Sequence, residues 1–433
     1  MPILTLEPLR WQEDPSRITI QTTGSSPSVY YQVTSPRCVE TICCGRPVEE
    51  LPRMVSILAP AQHLAAALAL DRLFQVEPPE TAQNMRTALL QAQYCSSHLR
   101  KIYFLMTSCQ APFADFRAYN HGLRPARLSK RVLEKIMHQV ALAQEAEDIL
   151  GGRHDLPLTA VAGGVTRYLK EGHYERLADI GATLLFFFRE LAEFLRTEIL
   201  TDGGGRPASW LNIELPALTG LHLAAGDQPI LTDPQGGGSQ TIKADQLGES
   251  IARHQEAWTY QPFAYLKEKG WAGIEPSPGL FYVGPLARFN AGQTASTPLA
   301  EEERQRIMAC LGTPPVYKLT AAFGALAVEL IQAAETLQSL SSPEKLAGPA
   351  LRTIPQGQAA STWAVLETPQ GLTWHRYQVN DDGIVEAVTV IDARVANNAL
   401  KCLLAKQVVG DALQRKEDPA AIKEKTAVVL LPF

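Results

Sequence analysis

Nine histidines, seven cysteines and forty-five acidic side chains are spread along this 433-residue sequence, and their spacing decides what chemistry they could share. A zinc hydrolase would place two histidines four apart on a helix, an acyl-transfer enzyme would show a G-x-S-x-G elbow, and a kinase its glycine loop and acidic motifs. None of these patterns is present. The cysteines at 38, 43, 44, 95, 109, 310 and 402 are odd in number and never form C-x-x-C. That usage points to reduced thiols, not to a disulfide framework or a zinc knuckle. Cys38, Cys43 and Cys44 form the one cluster; adjacent cysteines seldom ligate one tetrahedral ion, so they read as small residues near a strand end. Gly203-Gly204-Gly205 and Gly236-Gly237-Gly238 lack the context of a phosphate cradle and read as turns.

The elements that must position any site follow from composition and periodicity. With 45% hydrophobic and 20% charged residues the chain is of the ordinary globular class, and at this length it can bury a core without metal or disulfide staples. Forty basic against forty-five acidic residues, with no basic stripe, argue against nucleic acid as a partner. The longest apolar run, Ile180 to Phe188, ends at Arg189-Glu190, too short for a membrane span. Glu7, Glu13 and Asp14 fall where an export signal would be apolar, so a cytoplasmic location is expected.

Segments Ile18–Thr22 and Val29–Thr34 read as strands, so residues 1–55 form a β-rich segment. Apolar spacing of three and four predicts helices over Ala61–Leu73, Glu80–Thr107, Ser129–Leu150 and His173–Leu200, a bundle spanning 56–200. The last of these is expected to be the longest and to lie centrally. Residues 201–300 read as a loop-rich excursion, with a helix over Asp245–Trp258 and an irregular aromatic stretch from Tyr260 to Asn290. From 301 to 433 the chain returns to the same core through a helix at Ala321–Leu340, a meander of Thr362–Glu367, Thr373–Val379 and Ile384–Ile391, and a helix at Asn398–Leu413. The fold class is thus α+β, a central bundle of long helices with peripheral sheets.

Seven segments in order carry a resemblance. They are EPLRWQED (Glu7–Asp14), GRPVEELPR running into PAQHLAAALALD (Pro60–Asp71), GGRHDLPLTAVAGGV (Gly151–Val165), VGPLARFN (Val283–Asn290), TPLA (Thr297–Ala300), LETPQGLTWHRYQVNDDGIV (Leu366–Val385) and the Asn397-Asn398 pair. Together they resemble the large subunit of nickel–iron hydrogenases, in its cytoplasmic branch, over nearly the whole chain. The resemblance implies a nickel–iron centre held by an amino-terminal R-x-C-G-x-C-x-x-x-H and a carboxy-terminal D-P-C-x-x-C-x-x-H. Here the first reads RMVSILAPAQH. An ungapped match puts Ser56 and Ala59 where the thiolates belong, and a match anchored on Glu49–Pro52 implies a three-residue deletion; both leave no sulfur. The second pair would begin about where the sequence stops, at Phe433. Where the family's E-x-P-R-G places a guanidinium over the metals, this chain has Gln370, which removes the fixed charge.

The resemblance further implies that Glu13 aligns with a proton-passing glutamate, Glu40 with an acidic magnesium ligand, and His63 with the histidine after the first cysteine pair. Without sulfur ligands a soft redox metal cannot be bound and tuned, so Glu13, Glu40, Ser56, Ala59, His63 and Gln370 are expected to mark a vestigial site. No catalytic residue, no cofactor and no nickel–iron centre are expected on this chain. His98 is expected to be a core residue, and Arg288 and Asn290 to brace the core. The implied role is a noncatalytic component that docks an iron–sulfur small subunit, with further redox subunits, in an electron-transfer complex. An assembly scaffold for the metal centre, or an enzyme reusing the vacated pocket for an organic substrate, are the alternatives.

Overall fold

The computed structural model describes residues 3–7, 9, 14–22, 27–110, 130–201, 213–224 and 227–433. Glu13, most of the EPLRWQED segment and the first glycine triplet lie outside the described residues. Mixed helix and sheet share one large hydrophobic core, with two smaller apolar clusters, one beneath the carboxy-terminal meander and the other between that meander and the 219–241 sheet.

The amino-terminal sheet is a three-stranded antiparallel meander of Ile3–Leu6, Ser16–Gln21 and Ser28–Val33. Alternation buries Ile18 and Ile20 on one face, as a period of two requires. The helices Gln62–Leu73, Glu80–Gln110, Lys130–Gly151 and His173–Phe194 stand close to the spans read from periodicity.

Two expectations about His173–Leu200 fail. The 31-residue helix Glu80–Gln110 is longer, and His173–Phe194 is peripheral, closing in a π turn at Leu195–Ile199 and leaving Phe186 68% exposed. The central helix is Leu319–Leu340, in which every residue from Leu319 to Val328 is buried. Total apolarity misleads here because burial all round needs small side chains: Ala321, Ala322, Gly324, Ala325 and Ala327 let neighbours approach, and a Cβ on Gly324 would stand 2.9 Å from Ile307 Cγ2.

The excursion is more ordered than its composition suggests. Thr219–Ala224, Gln228–Thr232 and Ser239–Thr241 form an antiparallel run, and Phe281–Tyr282 adds in parallel to the first strand. The second glycine triplet is the expected turn, closed by Gly236 N donating to Asp233 O. The helix read over Asp245–Trp258 is overturned: only Leu247–Ser250 is α-helical, and Ile251–His254 pairs as a strand with Phe263–Leu266. The Trp374 ring lies against Gly248, where a Cβ would meet Cη2 at 2.0 Å, so tertiary packing wins over local periodicity.

The meander is as read: Ser361–Glu367, Leu372–Val379 and Val385–Ile391, antiparallel throughout. Helices Pro298–Leu311 and Pro419–Leu430 escaped the sequence reading. The latter carries a legible start signal, Asp418 before Pro419, with the Asp418 carboxylate accepting from Ala420 N at 2.9 Å and Ala421 N at 3.0 Å. Cys38 precedes, Cys43 ends and Cys44 follows a short helix, Val39–Cys43, so the cluster does not mark a strand end. Burial pushes the Cys43 thiol up to about 11. Among the described residues, no helix is long and apolar enough to cross a membrane.

Candidate functional site

The turn entering helix Gln62–Leu73 carries Ser56, Ala59 and His63. Ser56 is buried and its hydroxyl donates to Arg53 O at 2.6 Å; Ala59 is half-buried and brings only a methyl. His63 is fully buried, with Nδ1 2.9 Å from Pro52 O and Nε2 accepting from Ala160 N at 3.0 Å. Those partners demand a neutral ring protonated on Nδ1. Burial, aided by the charges of Arg86 and Arg53 and opposed by the Pro52 bond, lowers its pKa to about 4.

Further along the same helix, Asp71 Oδ1 accepts from Gly163 N at 2.7 Å and pairs with Arg86, whose guanidinium also donates to Val161 O and to Gly164 O at 2.8 Å. This clamp fixes the Gly151–Val165 segment against the bundle. Gly163 and Gly164 have φ of 76° and 155°, and a Cβ on Gly164 would stand 1.9 Å from Leu351 O. Gly164→Ala is therefore expected to lower stability by about 2–3 kcal/mol, read as a fall in urea midpoint at unchanged slope.

A second polar centre forms where five elements meet. Arg288, on the short helix Pro285–Asn290, grips Glu329 of the central helix with two bonds of 2.6 and 2.7 Å and donates to Glu367 at the end of the first meander strand. Glu329 also receives His98 Nε2 at 2.7 Å, and Glu367 receives Leu223 N at 2.8 Å. The Arg288 guanidinium lies 5.6 Å from the Tyr94 ring centre. Burial pushes Glu329 up, yet Arg288 and His98 outweigh it and hold that carboxyl at about 2. At Glu367 burial outweighs Arg288 and the pKa stays above the ordinary value. His98 is lowered by burial in spite of its bond to Glu329. Beside this centre Gln370 Nε2 donates to Ser97 Oγ at 3.3 Å, a long neutral bond.

The residues singled out in the sequence thus divide among separate places. Gln370 stands by the Ser97–His98 turn and the Arg288 centre. Ser56 and His63 are bonded within their own corner and to the 160 loop. The two regions share the meander, through Gln62 Oε1, which accepts from Thr373 Oγ1 at 2.9 Å and His375 Nε2 at 2.7 Å. Glu40, on the short helix Val39–Cys43, lies elsewhere against the meander, held by Arg253 at 2.8 and 3.1 Å and by Val390 N at 2.8 Å. Asn290 braces Tyr282 and Val316, and Asn397 braces Val283 and the Phe433 carbonyl. Sequence reasoning missed Glu329, although a lone acid inside the apolar run Leu319–Ile331 signals a buried cation.

The chain is similar to the iron-sulfur subunit of the F420-non-reducing hydrogenase of Archaeoglobus profundus, at 26% identity over 96% of this chain and 89% of that one. It is similar to the corresponding vhu subunit of the F420-non-reducing hydrogenase of Methanococcus voltae at 26% over 91% and 95%, and to the beta subunit of the NAD-reducing hydrogenase HoxS of Cupriavidus necator at 24% over 87% and 81%. Among solved structures, an NAD+-reducing [NiFe]-hydrogenase in its H2-reduced state superposes with a TM-score of 0.86 at 21% identity, covering 100% of this chain and 98% of that one. The Ni-Fe-Se hydrogenase of D. vulgaris Hildenborough superposes with 0.70 at 16% identity, covering 100% and 99%. No protein-family model matches the chain. The chain thus has the fold of the nickel–iron hydrogenase structures, and over most of its length it is similar to subunits of F420-non-reducing and NAD-reducing hydrogenases.

The centre that this fold family implies needs thiolate donors. The turn before His63 offers a hydroxyl already donating to a carbonyl, a methyl, and an imidazole with both nitrogens engaged. These residues do not fit a thiolate-held nickel–iron group. Among the described residues, no group of three or more histidine, cysteine, aspartate or glutamate side chains could hold a metal ion.

Proposed function

We propose that this protein is a noncatalytic, large-subunit-like component of a cytoplasmic redox complex, where it docks an iron–sulfur small subunit. The observation that supports the reading is the turn before His63, where the Ser56 hydroxyl donates to Arg53 O, Ala59 brings only a methyl and both His63 ring nitrogens are engaged. A hydroxyl that donates to Arg53 O and a methyl supply no soft, anionic ligand. The Gln370–Ser97 bond supports the same reading, because it is neutral where the family resemblance implies a guanidinium. That the relatives are named as subunits of multi-subunit hydrogenases supports a role inside an assembly.

Native purification from the source cells, with metal analysis and identification of co-purifying chains, tests this. The expected preparation contains no stoichiometric nickel and takes up no H2 on this chain, while its iron and labile sulfide track a smaller companion. A nickel-bearing chain that consumes H2, or a stable monomer without a cluster-bearing companion, overturns it.

A further inference from the structure

The Glu80–Gln110 and Lys130–Gly151 helices pack along one another, and their seam contains a carboxyl with no counter-ion. Glu147 is 2% exposed; one side of its carboxyl bonds to Ser96 and Oε1 has no partner. On the facing helix Gln93 is 3% exposed, with neither Oε1 nor Nε2 bonded. Gln93 lies one turn before Ser96 and Ser97, so its amide shares the face that Glu147 meets.

The charged groups around the seam leave Glu147 uncompensated. Arg100 is exposed and spends its Nε on Ser96 O at 3.3 Å. Asp148 is of like sign and bonds His154 at 3.0 Å, Arg167 caps the carbonyls of Asp148 and Ile149, and Arg176 is taken by Glu145 on the side facing His173–Phe194. Cys95 is buried and neutral.

We propose that Glu147 is a proton-operated latch between these two helices: as a neutral acid it lets the seam close dry, and as a carboxylate it opens the seam to water. The neutral acid has one donor and one acceptor, which an amide satisfies in both directions. The carboxylate has only acceptors, and burying it unpaired is far costlier than burying the acid. Burial raises the Glu147 carboxyl to about 7, against the Ser96 bond and the charges of Arg100 and His154, so the exchange falls in the physiological range. The latch acts on the helix that carries Tyr94, Ser97 and His98, and therefore couples proton concentration to the packing around Arg288 and Gln370.

Hydrogen exchange of the full chain tests the latch, with rates normalised to intrinsic chemistry at about pH 6 and about pH 8. Peptides covering 88–100 and 139–150 are expected to lose about tenfold protection at the higher pH, while Leu319–Leu340 holds. In Glu147→Gln the seam is expected to stay closed at both. A second measurement serves if that variant does not fold: in the wild type, the seam's midpoint must coincide with disappearance of an infrared carbonyl band from a neutral carboxylic acid. Flat protection across this range, the same pH dependence in Glu147→Gln, or opening only with global unfolding overturns the proposal.

Discussion

Replacing Arg288 with methionine is expected to cost about 3–5 kcal/mol, enough to leave the protein at or below the margin of a typical domain. The reason is the charge left behind more than the contact removed. Glu329 and Glu367 have side chains only 12% and 16% exposed, and each has both oxygens accepting hydrogen bonds in the native arrangement. Without the guanidinium, two carboxylates must remain ionised in a poorly hydrated space or take up protons. Arg288→Lys keeps the charge but cannot reach both oxygens of Glu329 while holding Glu367, and should fall between the two. The decisive comparison is a triple variant, Arg288→Met with Glu329→Gln and Glu367→Gln. If desolvated charge is the cause, the triple is more stable in urea than Arg288→Met alone, despite carrying more substitutions. A triple variant less stable than the single one would assign the loss to packing and hydrogen bonding instead.

This centre also shows where sequence reading stops. Arg288 was visible as part of VGPLARFN, and Glu367 as part of ETPQG, because both stand in segments with recognisable neighbours. Their mutual contact was not, since 79 residues separate them and nothing local in either segment names the other. The long bundle helices were legible from period and the meander from its turns, but period missed Pro298–Leu311 and Pro419–Leu430 and misread Asp245–Trp258. Helix position was not: His173–Phe194 is rich in large apolar residues yet lies outside, while the alanine-rich Leu319–Leu340 lies at the centre. The absence of sulfur before His63 could be read directly. The bonding of that turn could not, because the Ser56–Arg53 bond and the His63–Ala160 bond depend on a turn and a loop that only folding brings together.

His63 and His375 are expected to make the protein acid-labile, and Glu147 to mask part of that lability. Both rings are neutral in the fold: His63 must accept from Ala160 N, and His375 bridges Gln62 Oε1 and the Tyr377 hydroxyl. Burial lowers them to about 4 and about 3, from the ordinary 6.5. A folded-state pKa below the unfolded one gives stability that is present above the unfolded value and is lost as pH falls toward the folded value. Each ring thus forfeits on the order of 2 kcal/mol between about pH 7 and about pH 5. Glu147 has the opposite sign: raised to about 7, it adds stability on acidification over the same interval, on the order of 2 kcal/mol. Wild-type protein should therefore lose roughly 2 kcal/mol net, whereas Glu147→Gln loses nearly twice that. His63→Gln, which can still donate and accept but does not titrate, should begin weaker near neutrality and fall more slowly with acid. Urea midpoints across this interval for the three proteins decide the matter. Parallel pH profiles for wild type and His63→Gln would show that the ring is not held neutral by its two backbone partners.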